Sequence, residues 1–111
     1  MSLDTTPDNL SAGPVFWDRR ELDQLLRLYG RMVAQGEWRD YGMAGLKDAA
    51  EFAVFRRHGD APAYRVEKRP ALRLKQGQYA VMGEGGVILK RGRELDQVLK
   101  VFDSRRFTVV E

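Results

Sequence analysis

One histidine, six serines and threonines and no cysteine are the whole stock of ready bases and nucleophiles in this chain of 111 residues. His58 opens the turn-like run HGDAP and has no second histidine with which to share a metal ion. Four of the six hydroxyl residues, Ser2, Thr5, Thr6 and Ser11, fall in the first 14 positions, and no serine sits on a glycine-flanked elbow. A hydrolytic triad therefore has almost no material to work with. Asp40, Asp48 and Glu51 fall in one region, where paired carboxylates can do glycosidic or metal-assisted work. The same three residues also suit ion pairs and a turn cap, and nothing in their spacing selects a catalytic pair. GEGG at 83–86 lacks the Gly-Lys-Ser/Thr ending of a phosphate loop and reads as a tight turn between strands. Lys90, Arg91 and Arg93 surround Gly92 at the start of a helical pattern, which makes a weak case for a small-anion site. No cofactor and no metal is expected.

Charge placement is more informative than its sum. The formal net charge is +3, from 19 Lys and Arg against 16 Asp and Glu, and the excess belongs to the second half of the chain. Arg56, Arg57, Arg65, Lys68, Arg69, Lys90, Arg91 and Arg93 form the candidate surface for a nucleic acid or another polyanion. Trp38, Tyr41, Tyr64 and Tyr79 are the rings that would stack on bases beside it. The competing reading is a solvated, salt-bridged surface with those rings in the core.

The elements that must position these groups follow from periodicity. Residues 1–14, with Pro7, Gly13 and Pro14, read as a flexible tail ahead of one domain over 15–111. Asp18 with Glu21 three residues on is a capping-box signature. Leu22, Leu25, Leu26, Tyr29, Met32 and Val33 then recur at helical spacing, so a helix is predicted over 19–35, with Gly36 as its stop. Gly30 inside it suggests a close approach by another element. A strand near 38–43 places Trp38, Asp40 and Gly42 on one side and Arg39, Tyr41 and Met43 on the other. Residues 46–50 are ambiguous, because Leu46, Ala49, Ala50 and Ala53 also fit a helix. Strands are predicted at 51–57 and 63–69, joined by HGDAP, and a second hairpin turns at GEGG between Tyr79–Val81 and 87–91. Leu95, Val98, Leu99 and Phe102 mark a last helix, and RFTVV at 106–110 a last strand.

This order predicts an α+β fold: an N-terminal amphipathic helix, a mostly antiparallel sheet of about five strands, a C-terminal helix and a final short strand. Tyr64, Val66, Tyr79 and Val81 make one apolar face, and Phe55, Ala80, Met82 and Ile88 give the other an apolar character. Two apolar faces need two covers, either one helix each or a second subunit. No run approaches the ~20 apolar residues of a membrane span, and the first residues lack the basic and apolar regions of a signal peptide.

The segments RRELDQLLRLYGRMVAQGEWRDY, FAVFRR, YRVEKRP and GGVILKRGRELDQVLKVF together resemble a small bacterial family, domain of unknown function 2794, over about residues 16–103. The resemblance implies a stand-alone cytoplasmic bacterial protein and carries no activity, cofactor or catalytic residue with it. The resulting expectation is a non-catalytic binding or interaction module that self-associates, with RNA or single-stranded nucleic-acid binding as the alternative.

Overall fold

A computed structural model describes residues 14–103. Helix α1 spans Arg19–Ala34. The Glu21 amide donates to Asp18 Oδ1 and the Asp18 amide to Glu21 Oε1, both at 2.8 Å, so the expected capping box satisfies two amides at the helix start. Past the helix, the Gly36 and Glu37 amides close on the Val33 and Met32 carbonyls. Gly30 is exposed, with open space where a Cβ would stand, so no close approach explains it.

Five strands follow: β1 (Asp40–Gly45), β2 (Ala50–Phe55), β3 (Tyr64–Lys68), β4 (Tyr79–Met82) and β5 (Ile88–Gly92). They lie in the order β1-β2-β3-β4-β5, every neighbour antiparallel. Within 46–50, where a helix also fits the sequence, residues 46–49 form the β1–β2 turn, closed by the Leu46 amide on the Ala49 carbonyl at 2.7 Å, and Ala50 begins β2. The GEGG run turns as expected, with the Gly83 amide on the Val87 carbonyl at 2.8 Å. Helix α2 (Leu95–Leu99) completes the α+β fold, and 101–103 are again helical. The strand expected at 106–110, and residues 1–13 of the tail expected at 1–14, lie outside the described residues.

Both helices pack on the same face of the sheet. Leu25, Leu28 and Met32 of α1 share one core with Leu95, Val98, Leu99 and Phe102. Their floor is Phe52, Val54, Tyr64, Val66, Tyr79 and Val81, the inward-pointing half of three strands. Of the two covers considered for the second face, a helix of its own is therefore excluded among the described residues. Periodicity identifies an apolar side of a helix but not which side of a sheet it seeks.

Trp38 is a second correction. It is 2% exposed and sits in this core, edge-on to Phe102 at 5.1 Å, rather than sharing a side with Asp40 and Gly42. The strand starts only at Asp40, and the Arg39 amide already reaches the Phe55 carbonyl opposite Asp40. Residues 38 and 39 precede the paired strand, so its two-residue alternation does not extend back to Trp38, which turns inward.

The helix-free face is less greasy than expected. Register places Gly42, Ala53, Arg65, Met82 and Ile88 in one row across it, and Ala44, Glu51, Glu67, Ala80 and Arg91 in the next. Ala80 and Met82 are buried within the single chain, Phe55 is half-buried and Ile88 is exposed. The register neighbours of Ala80 and Met82 are Arg91 and Arg65, and arginine stems cover apolar neighbours efficiently.

Candidate functional site

The chemistry-bearing side chains are mostly engaged with one another. Glu21 is 6% exposed and lies where α1 begins over β3 and β4. Its Oε1 accepts from Lys68 Nζ at 2.8 Å and its Oε2 from the Tyr79 hydroxyl, while Lys68 Nζ also reaches the Phe16 carbonyl at 3.1 Å. This clasp holds the helix start against two strands 47 and 58 residues away in sequence. Burial, and then the hydrogen bond to Glu21, push the Tyr79 phenol well above its ordinary value of 10.0.

A phenol that keeps its proton only in the folded chain stabilises fully below the unfolded value and loses that contribution as pH rises towards the folded one. Stability is thus expected to fall above pH ~10 by up to about 1.4 kcal/mol per pH unit for this one proton. Denaturant midpoints between pH 9 and 11.5 check it: Tyr79→Phe should remove that share of the slope, and identical slopes would refute it.

The eight cationic candidates occupy several places. Arg65, Arg69 and Arg91 share the helix-free face, where Glu67 takes Arg69 at 2.9 Å and Arg91 at 3.8 Å. Arg91 also donates to the Gly77 carbonyl at 3.1 Å. Lys68 is on the opposite face, committed to Glu21. Lys90 pairs in register with Val81, so it too belongs to the helix side. Arg56, past the end of β2, lies 5.6 Å from the Tyr64 ring centre and 3.5 Å from Glu84, with Arg57 exposed in the adjoining turn. Arg93 lines a cleft of about 340 Å³ with Asp18, Glu21, Glu94 and Asp96. Glu94 is the N-cap of α2 and Asp96 is in its first turn, so acidic groups stand at the helix start where an anion was considered.

His58 is almost fully exposed, with Nδ1 3.4 Å from Asp40 Oδ2. Asp40 and Glu51 sit at opposite ends of the β1–β2 ladder, and Asp48 is in the turn. Among the described residues no three His, Asp or Glu side chains are grouped to hold a metal ion. None of these residues' helices is long and apolar enough to cross a membrane. Of the aromatic candidates, Trp38, Tyr64 and Tyr79 are core residues, and only Tyr41 is exposed.

Tyr41 belongs to a feature that sequence reasoning missed. Nine large apolar side chains are exposed among the described residues, and six of them (Phe16, Leu26, Val33, Tyr41, Met43 and Leu46) line one side of the molecule. The arrangement follows from α1, whose apolar surface is wider than the core requires. Leu25, Leu28 and Met32 point into the core, while Leu22, Leu26, Tyr29 and Val33, at i, i+4, i+7 and i+11, form the adjoining flank. That flank runs beside β1. Tyr29 meets the Tyr41 ring at 4.8 Å, and Leu22 shares a cleft of about 230 Å³ with Phe16, Trp17, Met43, Ala44 and Gly45.

The two edges of the sheet differ. β5 carries Lys90 and Arg91 and has an irregular register against Val81/Met82, the devices that discourage strand addition. β1 is regular against β2 from Asp40 to Gly45, and no residue from Tyr41 to Leu46 is charged. The uncharged run was visible in the sequence, but its position at an edge depends on strand order.

No curated protein and no solved structure matches the chain. One family does, over residues 15–99, close to the span that the sequence motifs suggested. By that match the chain belongs to the family described as protein of unknown function DUF2794.

Proposed function

We propose that the protein is a non-catalytic interaction module that self-associates through its β1 side. The observation that carries this reading is the apolar strip around a sheet edge that pairs with no further strand among the described residues. Six exposed large side chains gathered on one side are more than scattered surface apolarity accounts for, and contiguous patches of this kind mark interaction sites. The engagement of Glu21, Lys68, Tyr79, Glu67, Arg69 and Arg91 with one another supports the non-catalytic part, since these groups hold the fold together.

Sedimentation equilibrium at micromolar concentration tests the reading. The expected result is a species of twice the chain mass. A clean monomer at all concentrations up to about 100 μM would overturn it, because even a 1 μM dissociation constant corresponds to only about −8 kcal/mol.

A further inference from the structure

Resting on the self-association reading, we propose the geometry of the assembly: two copies join β1 to β1, antiparallel, about a two-fold axis that passes beside Met43 and stands perpendicular to the sheet. The result is one continuous ten-stranded sheet.

Hydrogen-bond alternation selects the residues of the seam. The Leu46 amide bonds to the Ala49 carbonyl of the β2 side, so at the two-residue alternation of the ladder Ala44, Gly42 and Asp40 direct their backbone groups towards β2. Tyr41, Met43 and Gly45 consequently direct theirs outward. Of these, the Tyr41 amide is held by Asp40 Oδ1 at 2.8 Å, a local acceptor that a carbonyl across the seam replaces.

Register follows from using the whole uncharged strand. Pairing Met43 with Met43 of the partner subunit puts Tyr41 against Gly45 of the partner subunit, and Gly42 against Ala44 of the partner subunit. Registers shifted by two residues in either direction bring Arg39 or Lys47 into the ladder. The centred register is also complementary in size. Gly45 has no side chain, and the Phe16 ring lies 2.5 Å from where its Cβ would be, so a tyrosine arriving opposite meets that ring. With no charge between Tyr41 and Leu46, a two-fold axis brings no like charges face to face.

The axis keeps both α1 helices on the same side of the extended sheet. Their Leu22–Leu26–Tyr29–Val33 flanks then face each other, which covers the strip from above. At ~150–250 Å² for a full large side chain, the six exposed side chains contribute on the order of 500 Å² per copy. With the two strand backbones added, the pair reaches the ~1,200 Å² at which stable interfaces begin.

The absence of cysteine makes the test clean. Met43→Cys is compared with Ile88→Cys, which is equally exposed at 51% but lies on the other edge strand. In the proposed seam the two Met43 Cα atoms are ~5.5 Å apart, within the ~4.4–6.8 Å range of a disulfide. Mild oxidation at micromolar concentration should link most of the Met43→Cys protein into dimers and at least tenfold less of the Ile88→Cys protein. Independently, Met43→Lys, which places like charges on the axis, should weaken the dimer at least tenfold in sedimentation while leaving the far-ultraviolet circular dichroism unchanged. A wild-type dimer in which Met43→Cys links no better than Ile88→Cys, or which Met43→Lys leaves intact, would overturn this geometry and leave self-association through another surface. A wild-type monomer would overturn both, with the outward β1 groups then left to another occupant such as residues 104–111.

Discussion

Glu21→Ala is expected to destabilise the protein by about 3–5 kcal/mol, the range for removing one member of a buried ion pair. Three separate losses contribute. The capping box loses the side chain that accepts the Asp18 amide. Lys68, whose side chain is only 14% exposed, keeps its ammonium without a carboxylate. The Tyr79 hydroxyl, buried beside it, loses its acceptor. Since native domains are stable by only about 5–15 kcal/mol, this single change brings the chain close to unfolding at ambient temperature.

Companion variants separate the terms. Glu21→Gln keeps a hydrogen-bond acceptor and removes the charge, so it should cost less than Glu21→Ala. Glu21→Leu combined with Lys68→Met removes both charges, and it should recover much of the loss, because the penalty lies in the uncompensated ion more than in the missing attraction. Urea midpoints at pH 7 provide the measurement. A loss below about 1 kcal/mol for Glu21→Ala would mean that the clasp is solvated and does not hold α1 to the sheet.

This clasp shows where sequence reasoning stops. The pairing of Asp18 with Glu21 is local, four residues of one helix start, and was legible from spacing alone. Partners for the rest of the Glu21 carboxylate come from β3 and β4, and no pattern in a single sequence names them. Strand alternation was legible too. In YRVEK it already separates Lys68, on the side of Tyr64 and Val66, from Arg65 and Glu67, so the split of the cationic candidates between two faces could have been read in advance. Trp38 is not placed by alternation because the paired strand begins only at Asp40, and nothing in the composition marks that start. The β1 edge needed the most information. YGMAG reads equally well as an interior strand, and only the order of five strands makes it an edge. What is local was readable, and the candidate interface, which depends on topology, was not.

The second large effect concerns the opposite edge. Gly77→Ala should cost about 3 kcal/mol or more, from two terms of different origin. Gly77 has φ +100°, a conformation that costs an L-residue roughly 1–2 kcal/mol. A Cβ there would also lie 2.5 Å from the Gly92 carbonyl oxygen and 2.8 Å from its Cα. Backbone cannot step aside by changing rotamer, so either the β3–β4 connection or the end of β5 must move. Overpacking of this kind costs roughly a further 1–3 kcal/mol. The displacement also endangers the Arg91 bond to the Gly77 carbonyl and the Tyr79–Gly92 pair of the ladder. Gly59→Ala is the control: its φ is +90° but nothing stands within 4 Å of the added Cβ, so only the conformational term of roughly 1–2 kcal/mol applies. Guanidinium unfolding of the two variants side by side decides the matter. Equal losses would show that the contact between Gly77 and Gly92 is not tight. A larger loss at Gly77 would show that the β3–β4 connection is packed against the backbone at the end of β5 with no room for a single methyl group.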